Sequence, residues 1–184
     1  MSDLSLYPES YFLRNAIGNP VEYGKTHREE VGKLLNIADL ALQPFDQARP
    51  EILKAITSPQ PLHRYWAAMV CTALGDQAKP LAKDVEPLLK DTSMTVRLRA
   101  AEFLGRIGAI NPQPTLTEIV NTTKDPVVAT EALNSVVWFR DFFGDRYPVK
   151  RSNFHPVSDG GDIDDRLNYI NGIPYPPKKK KKAR

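Results

Sequence analysis

Three histidines, one cysteine, a run of aspartates and three arginines are the residues of this 184-residue chain best suited to chemistry. His27, His63 and His155 stand apart from one another and match no metal-ligand spacing, so local hydrogen-bonding roles are expected of them. Cys71 has no partner for an internal disulfide, and its apolar surroundings predict a buried structural thiol. The stretch Asp159-Gly-Gly-Asp162-Ile-Asp164-Asp165 resembles a calcium loop but departs from one. The twelfth position counted from Asp159 is Ile170 where a bidentate glutamate is needed, and the glycine is misplaced. Asp162 is instead expected to cap a short helix from Asp162 to Tyr169, with Asp164 and Asp165 near its positive end. A phosphate-cradling glycine loop and a Gly-x-Ser-x-Gly elbow are both absent from the sequence. No catalytic, metal or cofactor site is therefore expected. Arg64, Arg97 and Arg99 are expected to line a groove or to tether the aspartate of a neighbouring loop.

The elements that position these residues are helices. Residues 91–108 hold Val96, Ala100, Phe103, Leu104 and Ile107 at offsets that put them on one helical face, with Asp91 or Ser93 as the cap. Gly105 and Gly108 are expected to end that helix. An aspartate-containing loop, then Val96-Arg97, then Ala100-Ala101, then Leu104-Gly105 is the signature of a HEAT-type repeat. Ala68, Ala101 and Ala132 fall in register at spacings of 33 and 31 residues. The first inner helix is expected over Leu62 to Leu74, buried through Leu62, Tyr65, Trp66, Met69, Val70 and Ala73. Its outer partner is expected over Glu51 to Thr57, with Pro44 and Pro50 bracketing the break before it. Pro80 opens the second outer helix, facing inward through Leu81, Val85, Leu88 and Leu89. Pro114 opens the third, and Pro126 opens the third inner helix. The fold class is all-α, a short solenoid of about three helical pairs. Two amino-terminal helices, Pro8 to Ile17 and Pro20 to Gln43, are expected to cap one end.

The organisation follows: 1–49 capping helices, 50–143 repeats, 144–177 an extended arm with one short helix, and 178–184 a disordered lysine-rich tail. Trp138, Phe139, Phe142 and Phe143 at the end of the stack are expected to seal it or to offer a docking surface. The net charge of +3 is unevenly placed, since residues 146–184 carry ten basic and four acidic side chains while the rest is slightly acidic. That distribution does not imply a folded nucleic-acid-binding face, and no specific nucleic-acid partner is expected. No run is apolar and long enough to span a membrane, and from the residues at the amino terminus no export signal is expected. The compartment stays open.

Five stretches carry a closer resemblance: Leu6-Tyr7-Pro8-Glu9-Ser10-Tyr11, Asn19-Pro20-Val21-Glu22-Tyr23-Gly24, Ile37-Ala38-Asp39-Leu40-Ala41, Arg64-Tyr65-Trp66-Ala67 and Asp164-Asp165-Arg166-Leu167-Asn168-Tyr169. Together they resemble the carboxy-terminal region of certain bacterial sulfatases, over nearly the whole chain. The resemblance implies a HEAT-like helical region with a lysine-rich tail, following a catalytic domain that hydrolyses sulfate esters. It also implies a formylglycine signature, Cys-x-Pro-x-Arg or Ser-x-Pro-x-Arg, and this chain has neither, because Cys71 is followed by Thr-Ala-Leu-Gly. No catalytic residue carries over. The expected function is a non-catalytic interaction module packing on a sulfatase catalytic domain, in cis or in trans, with weak attraction of a sulfated polysaccharide to the basic tail. The alternative is a free-standing HEAT scaffold that binds another protein.

Overall fold

The computed structural model describes residues 20–174, and these form a stack of helices. They are α1 (Pro20–Thr26), α2 (Arg28–Ala38), α3 (Phe45–Ile56), α4 (Pro61–Leu74), α5 (Ala82–Val85), α6 (Met94–Arg106), α7 (Gln113–Thr122), α8 (Pro126–Phe143) and α9 (Gly161–Ile170). Short 3₁₀ turns join them, and no strand occurs among the described residues. The fold is an all-α, short HEAT-like solenoid. The expected helix at Pro8 to Ile17 and the tail at 178–184 lie outside the described residues.

Three pairs build the stack: α3 with α4, the segment Gly75–Lys90 (α5 with its flanking 3₁₀ turns) with α6, and α7 with α8. α4 packs against α2, α3 and α6, and α9 covers α8. Ala68, Ala101 and Ala132 are all fully buried, which is why small side chains stand in register where the helices meet.

The core has two parts, and α6 belongs to both. Val96, Ala100, Phe103 and Leu104 join Ile52, Tyr65, Val70 and Val85 in the first. Leu98 and Ala101, on the other side of the same helix, join Leu116, Leu133, Phe139 and Ile163 in the second. A helix clasped from two sides needs more than a single apolar stripe. The same holds for α4, where Ala67, Ala68 and Cys71 are buried while Ala73 is exposed, contrary to the stripe expected of it.

Other expectations need correction. The first outer helix begins at Phe45, not Glu51, and Pro50 lies inside it. Pro50 and Asp46 are both exposed, so the Asp46 carbonyl that loses its intrahelical donor is left facing water. The amino-terminal helix breaks at His27, whose ring stacks on Tyr23 at 3.8 Å and whose Nδ1 lies 2.9 Å from the Tyr23 carbonyl. Gly105 does not end α6. A Cβ there would stand 2.7 Å from both Phe139 Cζ and Pro112 Cγ, so glycine serves close packing within the helix. The left-handed residue that follows α6 is Gly108, with φ of +76°.

The segment after α8 is not a free arm. Tyr147, Phe154, Ile163, Leu167 and Ile170 are buried in the second core. Its backbone is stitched to the third pair: Asn121 Nδ2 donates to the Asn153 carbonyl at 2.9 Å, the His155 N–H donates to Asn121 Oδ1 at 2.6 Å, and Ser158 Oγ donates to the Thr123 carbonyl at 3.0 Å. This layer closes the end of the solenoid, where an uncovered pair would expose its apolar face. The cap of α9 is Gly160, not Asp162, which instead pairs with Arg166 at 3.0 Å.

Candidate interaction face

The loops set the spacing of the helices. Arg64 on α4 grips Asp91 with two hydrogen bonds, Nε to Oδ2 at 2.6 Å and Nη2 to Oδ1 at 2.9 Å, while its Nη1 donates to the Ser58 carbonyl at 2.8 Å. One guanidinium thus ties the first pair's turn to the loop entering α6. Asp91 Oδ1 also accepts the Ser93 N–H at 2.9 Å, and Ser93 caps α6 by accepting from the Val96 N–H. Burial would push the Asp91 carboxyl upward, but the Arg64 guanidinium and the Ser93 N–H outweigh it and hold the pKa below the usual carboxylate range. In the third pair Asp125 caps α8 directly, accepting from Val127 and Val128.

Arg97 and Arg99 diverge from this pattern and from each other. Arg97 reaches Glu118 on α7 at 3.0 Å, whereas Arg99 turns to the side where α4, α6 and α8 lie together. There Arg99 Nη1 binds Glu102 at 2.8 Å and Nη2 binds Glu131 at 2.6 Å, with its guanidinium 5.2 Å from the Tyr65 ring centre. Ser135 Oγ donates to Glu102 as well. Burial alone would lower the Arg99 pKa. Glu102, Tyr65 and Glu131 overcome that and hold it above its ordinary value, so the charge is fixed. Thr72, Asn134 and Trp138 complete a groove of about 390 Å³ around this cluster. Glu102, Glu131 and Ser135 were not singled out by sequence reasoning. Glu102 had a local signal, three residues after Arg99 on one helix, whereas Glu131 is related to Arg99 only by a separation of 32 residues, about one repeat.

The four aromatic residues at the end of α8 separate into two groups. Phe139 is fully buried between Trp138, Phe143 and Tyr147, so it belongs to the core and not to a docking surface. Phe142 is 74% exposed and packs beside Trp138, ring centres 6.0 Å apart. Trp138 and Phe143 are half-buried. The outward-facing aromatic edge is therefore Trp138 with Phe142, and it adjoins the Arg99 groove through Trp138.

Residues 49–136 match the family model for HEAT repeats. Repeats of this family are generally non-enzymatic and serve as helical scaffolds for protein interaction. No curated protein and no solved structure matches the chain. Nothing in these comparisons links it to sulfatases.

Within and around the helical body the histidines and acidic residues stay apart. His27 sits against Tyr23, His63 Nδ1 lies 3.1 Å from Ser58 Oγ, and His155 meets Asn121 through its backbone. Among the described residues no three of His, Cys, Asp and Glu converge as metal ligands, and no helix is long and apolar enough to cross a membrane. A wider groove of about 820 Å³ lies between α2, α3 and the start of α4, lined by Ile37, Leu40 and Ala55. Its lysines are engaged on their own helices, Lys33 with Glu29 at 2.8 Å and Lys54 with Glu51 at 3.4 Å.

Cys71 is buried in the first core, and burial together with the charge of Asp84 pushes its thiol up to about 12. A thiol so rarely ionised is a poor nucleophile. The native chain is expected to leave Ellman's reagent unreacted at pH 8 and to release one equivalent of chromophore once unfolded in guanidinium. Rapid reaction of the native chain would place Cys71 at the surface.

Proposed function

We propose that this chain is a non-catalytic helical interaction module that docks through the Trp138 and Phe142 edge of α8, and that the protein it docks on is a sulfatase catalytic domain, in cis or in trans. The observation that carries the docking surface is Phe142, a large apolar side chain 74% exposed beside a tryptophan. A paired aromatic edge beside a polar groove has the composition of an interface centre with its rim. The identity of the partner rests on the sequence resemblance alone, and so does the chemistry that partner would carry.

The test mixes the full chain with a sulfatase catalytic domain bearing the formylglycine signature and reads affinity by calorimetry. A complex is expected, and Phe142→Ala is expected to weaken it about thirtyfold, the effect of losing one central aromatic anchor. Thermal unfolding of Phe142→Ala alone should match that of the parent. A chain that binds no such domain removes the sulfatase partner, and a Phe142→Ala variant that binds as tightly as the parent removes the docking edge.

A further inference from the structure

The two ends of the described stack are finished differently. The layer after α8 closes one of them, burying Ile163, Leu167 and Ile170. At the other, α2 turns Leu34 toward Leu62 and Trp66 and Ile37 toward the first core, while its outer side keeps a second apolar row. Val31, Leu35, Ala38 and Leu42, the last in the turn Asp39–Leu42, recur at steps of four, three and four residues. Leu35 is 57% and Leu42 85% exposed. That spacing is the heptad seam by which one helix packs along another. We propose that this row is a self-association surface, covered by the same row of a second copy of this chain running antiparallel about a two-fold axis. The surface lies at the opposite end of the stack from the Trp138 and Phe142 edge, and it does not depend on which protein docks there.

What selects a second copy is the order of charge along the row. Arg28 opens α2 and Asp39 follows its last residue, and among the described residues neither is in an ion pair. Lys25 and Lys33, by contrast, are engaged within a turn, with Glu22 at 2.7 Å and Glu29 at 2.8 Å. At 100° per residue Arg28 and Asp39 both fall within about 40° of Leu35. Each also stands at the end of α2 where its charge opposes the helix dipole, so α2 alone does not account for either.

Arg28 lies five residues before Lys33 and Asp39 six after it, with Val31 and Leu35 at equal distances on either side. A two-fold axis level with Lys33 therefore sets Val31 against Leu35 of the second copy. It sets Arg28 against Ala38 of that copy, a side chain small enough for the guanidinium to pass and meet the adjoining Asp39. Symmetry makes every such contact twice. A parallel pairing would instead set Arg28 on Arg28 and Asp39 on Asp39, which like-charge repulsion opposes. Gly32 borders the row beside the axis. Among the described residues nothing stands within 4 Å of the position its Cβ would take, so the chain's own packing does not call for glycine there. Glycine weakens a helix interior, and what it provides here is room for the second helix to come close.

The test is sedimentation equilibrium of the full chain and four full-length variants. The parent is expected to dimerise with a Kd of about 10 µM, in keeping with a small contact. Leu35→Gln, a change at an exposed position to another good helix former, should weaken the dimer about thirtyfold or more. Arg28→Asp and Asp39→Arg should each weaken it about tenfold, although each suits the dipole of α2 better than the parent residue does. Combining the two restores opposite charges at both contacts, and the double variant should dimerise within about threefold of the parent. A parent that stays monomeric to about 300 µM overturns the proposal. So does a Leu35→Gln dimer as tight as the parent's, or a double variant no tighter than its single members. A monomeric parent whose unfolding midpoint falls on Leu35→Gln would show the row to be covered from within the chain, and that overturns it as well.

Discussion

Asp91→Ala is expected to cost about 3–5 kcal/mol of stability, the loss typical of breaking a buried ion pair and stranding one partner. The side chains of Arg64 and Asp91 are only 13% and 5% exposed, and the guanidinium stays inside the loops when the carboxylate goes. For a chain of this length the midpoint of thermal unfolding should fall by roughly 6–20 °C. Removing both partners should cost less than the sum of the two single changes, because Arg64→Ala/Asp91→Ala leaves no buried charge behind. Acid separates this from a packing defect. The Asp91 pKa is lowered in the folded chain, so its stabilisation is present above the unfolded value, about 4, and is lost as pH falls through the lowered folded value. The gap in urea midpoint between parent and Asp91→Ala should therefore be constant from neutral pH to about 5 and close as the carboxylate protonates. A gap unchanged at low pH would mean that the tether adds nothing through its charge.

Phe139→Ala is expected to cost about 3–5 kcal/mol, as truncation of a fully buried phenylalanine does elsewhere. Its ring lies 4.8 Å from Trp138, 5.4 Å from Phe143 and 5.5 Å from Tyr147, centre to centre, so its loss opens a void that three aromatic neighbours line. Phe142→Ala, three residues along the same helix, should change stability by no more than about 0.5 kcal/mol. A second change makes the contact explicit. Gly105→Ala drives a methyl into Phe139 Cζ, and in a Phe139→Ala background that collision disappears. The double variant should then be less destabilised than additivity requires, by about 1 kcal/mol. Equal losses at Phe139 and Phe142, read by urea denaturation, would contradict the burial described for this end of the stack.

What the sequence makes legible is the part of the fold written in period and punctuation. Ala68, Ala101 and Ala132 in register, the prolines that open helices and the Asp-loop before Val96-Arg97 all speak of neighbouring helices in a local code. Gly105 was misread because a helix-ending glycine and a glycine that admits a ring from another helix look the same in one dimension. Pro50 was misread for a related reason: it stands on the exposed side of α3, where the Asp46 carbonyl it frees faces water, and a proline so placed looks the same in one dimension as one that ends a helix. The layer after α8 hid behind its composition, since Pro148, Pro156 and Gly160-Gly161 read as an arm. Its anchoring depends on Asn121 and Thr123, some 32 to 35 residues away. At the candidate face, Arg99 was visible while Glu131 was not, because nothing local says which way an arginine on α6 will turn. The aromatic cluster was legible as a cluster. Which of its members faces water depended on α9 and Tyr147 arriving from elsewhere.

The helix α6 lends one side to each of the two apolar clusters. In a repeat array, cohesion depends on how strongly each unit leans on the next. Here the two clusters share a wall, so neither half of the stack can melt while leaving the other its full set of neighbours. The described stack is accordingly expected to unfold as one block, with both halves lost in a single transition.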